Sequence, residues 1–137
     1  ANPKLPGKGY WKFIDLLRLR TTVEDAGLTI GAIENVPISF YDKIMLGLPG
    51  RDQQIENMAM TIRNMGKAGI EILGYHWMPN GVWRTSWTTP TRGGASVTSF
   101  DYDLVQNAPL SHSKVFTETE MWENYEYPNC ALLPVSR

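Results

Sequence analysis

Residues 26–37, AGLTIGAIENVP, return 42 positions later as residues 68–79, AGIEILGYHWMP. The shared frame is Ala26-Gly27-Leu28-x-Ile30 with Pro37, and Ala68-Gly69-Ile70-x-Ile72 with Pro79. A glycine that follows a helical pattern is a natural helix stop, because it accepts the left-handed backbone that closes the last turn. The β-branched, apolar residues after it read as a strand. Proline, which has no N–H to give to a ladder, closes that strand. The pattern is helix, glycine, strand, proline, written twice. Two such units in register argue for parallel strands joined by crossover helices.

The helices lie just before the glycines. Residues 11–26 (WKFIDLLRLRTTVEDA) place Ile14, Leu17, Leu16 and Val23 near one face, with Arg18 and Arg20 expected to face solvent. Residues 51–68 (RDQQIENMAMTIRNMGKA) place Ile55, Met58, Ile62 and Met65 on one stripe, and the methionines at 58, 60 and 65 read as core. Between the two units, SFYDKIMLGLPG reads as a loop. The strands, 28–36 and 70–78, begin apolar, as strands covered on both faces do. They end polar or aromatic: Glu34-Asn35 in the first, Tyr75-His76-Trp77 in the second. In parallel α/β folds that carboxyl end of the strands carries the ligand site.

Residues 80–116 break the pattern. They are rich in Gly, Thr and Ser yet keep Trp83, Trp87, Phe100 and Tyr102, so they read as an ordered insertion over the strand ends, with a hairpin at Gly93-Gly94. A third helix opens at Thr117, with Glu120 completing a capping box. Pro128 is expected to interrupt it, and Pro134 to end its pattern.

The bulk numbers narrow the class. The chain has 137 residues, 42% apolar and 20% charged, with a net charge of −1. That is ordinary globular composition and gives no basic surface for nucleic acid or an anionic membrane. No apolar run approaches the roughly 18 residues of a membrane-spanning helix. The polar start, with Lys4 and Lys8, lacks the apolar core of a signal peptide. A single cysteine, Cys130, excludes an internal disulfide framework. The expectation is a cytoplasmic α/β protein.

Six residues stand where the chemistry should be. Glu34 and His76 are 42 apart, at equivalent strand ends, where a carboxylate and an imidazole suit a metal, a hydroxyl or a moving proton. Asn35 and Trp77 flank them. Trp83-Arg84 follows the second strand, and pairs an aromatic plane with a fork for a carboxylate. Each also has a plainer use, as a strand-end hydrogen bond or a loop packing contact. Arg92 and His112 read as surface residues, and Cys130 as a packed small side chain without the partners of a metal site. No phosphate loop, dinucleotide loop, nucleophile elbow or zinc-protease motif is present. The residues alone reach a parallel α/β enzyme acting on a polar, anionic small molecule.

Longer blocks go further. Ile33-Glu34-Asn35-Val36-Pro37, Leu46-Gly47-Leu48-Pro49-Gly50-Arg51-Asp52, Ile62-Arg63-Asn64-Met65, Gly74-Tyr75-His76-Trp77-Met78-Pro79, Val82-Trp83-Arg84-Thr85, Arg92-Gly93-Gly94-Ala95, Thr98-Ser99-Phe100-Asp101 and Met121-Trp122-Glu123-Asn124-Tyr125-Glu126-Tyr127 resemble the mannonate dehydratase family, in order and across residues 16–127. The resemblance implies a (β/α)₈ TIM barrel, of which this chain would hold two to three βα units and the long insertion. It implies dehydration of D-mannonate to 2-keto-3-deoxy-D-gluconate in hexuronate (glucuronate) breakdown, and a divalent metal, Mn²⁺ or Fe²⁺. It places the metal ligands (His, Cys, His and Asp) and the catalytic residues on later strands, outside this chain, so Cys130 is not the metal cysteine and no metal ligand is expected here. Glu34, Asn35, His76, Trp77, Trp83 and Arg84 are left as substrate-contact candidates.

The barrel class needs about 250 residues. The expectation is therefore residues 1–137 as one incomplete domain, the N-terminal part of a barrel, inactive alone. The parent enzyme would take a small sugar acid and no nucleic acid or membrane, and leaves room for a homo-oligomer. After Pro128 the sequence departs from the family pattern. Two rivals share the residue-level reading: a non-catalytic α/β module that binds a sugar acid or a partner, and a TIM-barrel sugar isomerase or epimerase.

Overall fold

The structure, a computed structural model, describes residues 4–79, 81–112 and 114–135. It divides into two compact units, residues 1–77 with 118–137, and residues 78–117. Asn80 and Ser113, both within the stretch read as an insertion, lie outside the described residues.

The first unit contains four helices: α1 (Phe13–Asp25), α2 (Asp42–Met45), α3 (Arg51–Lys67) and α4 (Glu118–Leu132). Helices α1 and α3 end in the same way, 42 residues apart. Gly27 and Gly69 take φ of 74° and 69°, a conformation glycine enters without a Cβ penalty. In the first, Gly27 N–H bonds Glu24 O at 2.8 Å and Leu28 N–H bonds Val23 O at 3.1 Å. In the second, Gly69 N–H bonds Gly66 O at 3.0 Å and Ile70 N–H bonds Met65 O at 2.9 Å. These are two Schellman caps, which satisfy carbonyls the helix leaves open and turn the chain into the following extended segment. The sequence repeat is thus a structural repeat.

Both extended segments follow their caps, but they pair only briefly. Ile33 and Leu73 form a parallel bridge, with Ile33 N–H on Ile72 O at 3.0 Å and Gly74 N–H on Ile33 O at 2.8 Å. The full strands expected over 28–36 and 70–78 are not formed among the described residues. Parallel pairing is the weaker kind per residue, and a ribbon of two strands gains little cooperativity. The bridge nevertheless sits in the core, with Ile33 fully buried and Ile70 nearly so.

That core joins Trp11, Leu16, Ile33, Val36, Phe40, Tyr41, Ile44, Met45, Ile55, Met58, Met65, Ala68 and Ile70. Four of these come from the stretch read as loop. It folds instead into a 3₁₀ turn (Ile38–Phe40) and the one-turn helix α2. A single side chain explains why so short a helix holds. Gln54, buried on α3, accepts from Lys43 N–H at 2.9 Å and Ile44 N–H at 3.2 Å, and donates to Ser39 O at 3.1 Å and Asp42 Oδ1 at 2.6 Å. It acts as a cap supplied from another helix, satisfying amides that α2 cannot satisfy itself. Two further buried polar residues of α3 hold the entering chain: Thr61 Oγ1 accepts Trp11 N–H at 3.3 Å and Asn64 donates to Trp11 O at 2.8 Å.

Several side chains differ from the sequence reading. Arg20 does not face solvent freely; it donates to Ala68 O at 3.0 Å and to Glu24 at 2.7 Å, so it ties α1 to the second cap. Ile14 is exposed, and Leu16 alone is buried on α1. Met60 is exposed rather than core. Pro128 does not interrupt α4, which continues to Leu132. It is the one buried residue of that helix, and tertiary burial outweighs its propensity cost. Asn129 Nδ2 donates to Tyr125 O at 2.8 Å in the same turn. Cys130 is exposed rather than packed.

The second unit is built on an antiparallel hairpin, β1 (Ser86–Pro90) and β2 (Ser96–Ser99), with Ser86 opposite Ser99 and Pro90 opposite Ser96. Its turn contains Gly93 and Gly94 at φ of 69° and 77°, at the site expected for it. Among the described residues no helix is long and apolar enough to cross a membrane.

Candidate functional site

The bridge Ile33–Leu73 brings the carboxyl ends of both extended segments together, and four of the six candidates follow from it. Glu34 comes directly after the bridged Ile33 and is exposed. A Cβ added at Gly74 would stand 3.1 Å from the Cβ of Glu34, tighter than ordinary contact, so the glycine sets how closely Glu34 approaches the second segment. Asn35 has φ of 62°, the sole described non-glycine residue in the left-handed region. Its Oδ1 is buried without a partner among the described residues. His76 has an exposed side chain. Its backbone is held from behind, because Tyr41, buried after the 3₁₀ turn, receives the His76 amide at its hydroxyl. Burial pushes the Tyr41 phenol above its usual range despite that bond, so it stays neutral and acts as an anchor.

Trp77 packs edge-on against Tyr125 of α4, ring centroids 5.2 Å apart, and its Nε1 is likewise buried without a partner. Tyr75 and Tyr125 place their hydroxyls 3.4 Å apart. Burial, followed by the contact with Tyr125, pushes Tyr75 up to about 12, while Asn129 pulls the other way. Around this aromatic group, within the first unit, lies a cleft of about 790 Å³ between α3, the 70–77 segment and α4.

Trp83 and Arg84 belong to the second unit, where both are exposed. Arg84 donates to Thr98 Oγ1 at 3.1 Å and to Trp83 O at 2.8 Å, so part of its fork braces the hairpin. Arg92 is exposed at the hairpin turn. His112 is exposed, with Nε2 on the Pro79 carbonyl and its ring edge-on to Phe116. Among the described residues no group of three or more His, Cys, Asp or Glu side chains converges to hold a metal ion. The sequence missed Tyr41, which sits in a stretch that reads as loop. Gly74 carried a usable signal: a glycine inside a strand marks a close approach.

Comparison with known proteins fits this architecture. The family model described as D-mannonate dehydratase (UxuA) matches residues 1–135. The chain belongs to the D-mannonate dehydratase family. A protein named mannonate dehydratase from Thermotoga maritima is 38% identical over 103 residues, 74% of this chain and 28% of that relative. One of the same name from Streptococcus equi subsp. zooepidemicus is 32% identical over 151 residues, 92% of this chain and 41% of the relative. The crystal structure of mannonate dehydratase from Streptococcus suis serotype 2 superposes with a TM-score of 0.82 at 32% identity, covering 99% of this chain and 42% of that one. The chain thus shares the mixed α/β fold of a mannonate dehydratase. It spans 28% of the length of the Thermotoga relative.

Proposed function

We propose that this chain forms the substrate wall of a mannonate dehydratase, a hydro-lyase that converts D-mannonate to 2-keto-3-deoxy-D-gluconate in glucuronate breakdown. The observation that carries the reading is the pair of orphaned polar atoms at the segment ends. Asn35 Oδ1 can only accept, Trp77 Nε1 can only donate, and both are buried without a partner among the described residues. Leaving a buried polar group unmet costs about 1–3 kcal/mol. A polyhydroxy acid offers both halves of what is missing, since a hydroxyl donates to one and accepts from the other. Asn35 also holds a left-handed backbone, the kind of strain that persists where a site demands it.

In this reading Glu34 and His76, beside the orphaned pair, meet the substrate's hydroxyls. The reaction removes the proton on the carbon next to the carboxylate and expels the neighbouring hydroxyl as water; the enol so formed becomes the 2-keto acid. The family's divalent metal, Mn²⁺ or Fe²⁺, would assist loss of that hydroxyl. The described residues do not assemble a set of donors for it, so its ligands and the proton-transferring groups are assigned to the rest of the enzyme. Trp83 and Arg84 of the second unit are proposed on their own as contacts for a sugar acid, with Arg84 on its carboxylate. The parent is read as a cytoplasmic (β/α)₈ barrel. Two repeated helix–segment units and a parallel bridge support the barrel. So does the offset of that bridge, which joins Ile33 to Leu73 rather than to its repeat equivalent Tyr75, a two-residue stagger of the kind a closing barrel requires. The names of the relatives favour this reading over a barrel isomerase or a binding module.

The test is a chimera in which this chain replaces the matched region of the Thermotoga maritima relative, assayed for 2-keto-3-deoxy-D-gluconate. Activity that falls about 10- to 100-fold in Asn35→Ala or Trp77→Phe chimeras, with the fold intact, supports the reading. An active chimera indifferent to both changes sinks it. The 137-residue chain by itself is expected to give no turnover, and measurable turnover would overturn that part.

A further inference from the structure

Trp77 must aim a hydrogen bond from a place where its main chain is loosely held. The last ladder bond of its segment is Gly74 N–H to Ile33 O at 2.8 Å, and among the described residues the Trp77 backbone has no partner of its own. An indole has one donor, Nε1–H, which points in the plane of the ring. A hydrogen bond weakens steeply once that direction is missed. Whatever packs against the ring therefore decides whether the buried, unpartnered Nε1 can meet a ligand.

Part of the Trp77 side chain packs on the core. Its aromatic neighbour is Tyr125 of α4, edge-on, with centroids 5.2 Å apart and planes at 77°. Tyr125 is half-buried, and Trp122 stands edge-on to it one turn back, at 6.0 Å. The Tyr125 hydroxyl meets that of Tyr75 at 3.4 Å, which is long for two hydroxyls, so the ring and not the hydroxyl carries the contact with the segment. Helix α4 is pinned on either side of this residue. Asn124 donates to Met45 O of α2 at 3.3 Å. Tyr127 donates to Asp52 Oδ1 at 2.8 Å, with the Arg51 guanidinium 3.9 Å from its ring centre. These bonds set the rotation of α4, and with it the place of the Tyr125 ring. A donor is aimed well only when the groups behind it are themselves held.

We propose that Tyr125 is a positioning residue, whose ring edge fixes the Trp77 indole so that its N–H aims at a hydroxyl of the sugar acid. The inference rests on the reading of Trp77 as a substrate contact. A misaimed donor weakens the hold on substrate and transition state alike, so the loss falls on KM and not on kcat. In the Thermotoga maritima chimera, Tyr125→Leu is expected to lower kcat/KM for D-mannonate about tenfold, nearly all of it through KM. Tyr125→Phe, which keeps the ring edge, should bring kcat/KM back to within about twofold of the parent. Once Trp77 is replaced by Phe, Tyr125→Leu should cost less than about twofold more, because the donor it aims is gone. A second readout needs no turnover. In the 137-residue chain the Trp77 indole N–H, identified by its absence from Trp77→Phe, should exchange at least about tenfold faster in Tyr125→Leu, while the amide of core residue Ile33 changes less than about twofold.

Four results overturn the proposal: no rescue by Tyr125→Phe, a full Tyr125→Leu loss that persists without Trp77, an indole exchange rate that Tyr125→Leu leaves unchanged, or equal acceleration of the indole and Ile33, which would mean that the fold as a whole has loosened. Should Tyr125→Leu fail to fold, the unsubstituted chain decides, because the absence of a nuclear Overhauser contact between the Trp77 indole and the Tyr125 ring overturns the proposal too. The two readings fail in different ways. An active chimera indifferent to Trp77→Phe fails the functional reading, and this inference with it. A chimera that needs Trp77 but tolerates Tyr125→Leu fails this inference alone.

Discussion

Asn35 shows how much one residue can carry. Its φ of 62° is a conformation where a side chain is a cost, and its amide oxygen is buried without a partner among the described residues. Replacing it with glycine removes both penalties. Asn35→Gly is expected to stabilise the chain by up to about 1 kcal/mol in urea denaturation while lowering sugar-acid binding in the chimera. Stabilisation without loss of binding would make the residue structural only. Tyr75 gives a prediction in pH. An unfolded tyrosine releases its proton near 10.0, whereas the fold holds that of Tyr75 up to about 12. The folded chain therefore keeps a proton that the unfolded chain has lost, and stability should fall as pH rises through that window. Thermal melts between pH 9 and 12 check this. Tyr75→Phe should flatten the decline, and an unchanged slope would refute it. None of this was legible from sequence. Strain and burial depend on neighbours, and Asn35 and Tyr75 read there only as polar and aromatic residues at strand ends.

The elements were more legible where local chemistry decides them. The two caps follow from glycine at a fixed place after an apolar stripe, and the hairpin from paired glycines. The caps also make a graded prediction. A Cβ at Gly27 meets nothing, so Gly27→Ala should cost only the left-handed backbone, about 1–2 kcal/mol. At Gly69 the new carbon meets the guanidinium of Arg20 and displaces it from Ala68 O, so Gly69→Ala should cost more. Equal losses in urea titrations of the two variants would contradict this. Helix α2 was illegible for a different reason: its cap lies on another helix. Gln54 looks like one more polar residue of α3, yet it satisfies two amides of α2. Gln54→Ala is expected to cost about 2 kcal/mol or more and to speed exchange of the Lys43 and Ile44 amides first. The full strands failed in the other direction, because propensity predicted them and pairing was not there to extend them.

At the scale of the whole molecule, the 42-residue repeat gave the α/β class, and the family blocks gave the family. The division into two units is less a matter of pattern than of burial. In the second unit most residues are exposed, including Trp87, Tyr102, Leu104 and Val115, whereas the first unit encloses Trp11, Leu16 and Ile33 completely. Stability should be divided accordingly. Limited proteolysis is expected to cut residues 101–115 before any bond of the first unit, and Trp11→Ala, at about 3–5 kcal/mol, should unfold the first unit. Early cleavage inside α3 would contradict that order.

Cys130 acquires a practical value from its position. It is the only thiol of the chain, it is exposed, and it adjoins Asn129, which lines the cleft. A fluorophore attached there would need no engineered cysteine and no removal of others. Its emission would follow the filling of the cleft in real time, giving association and dissociation rates.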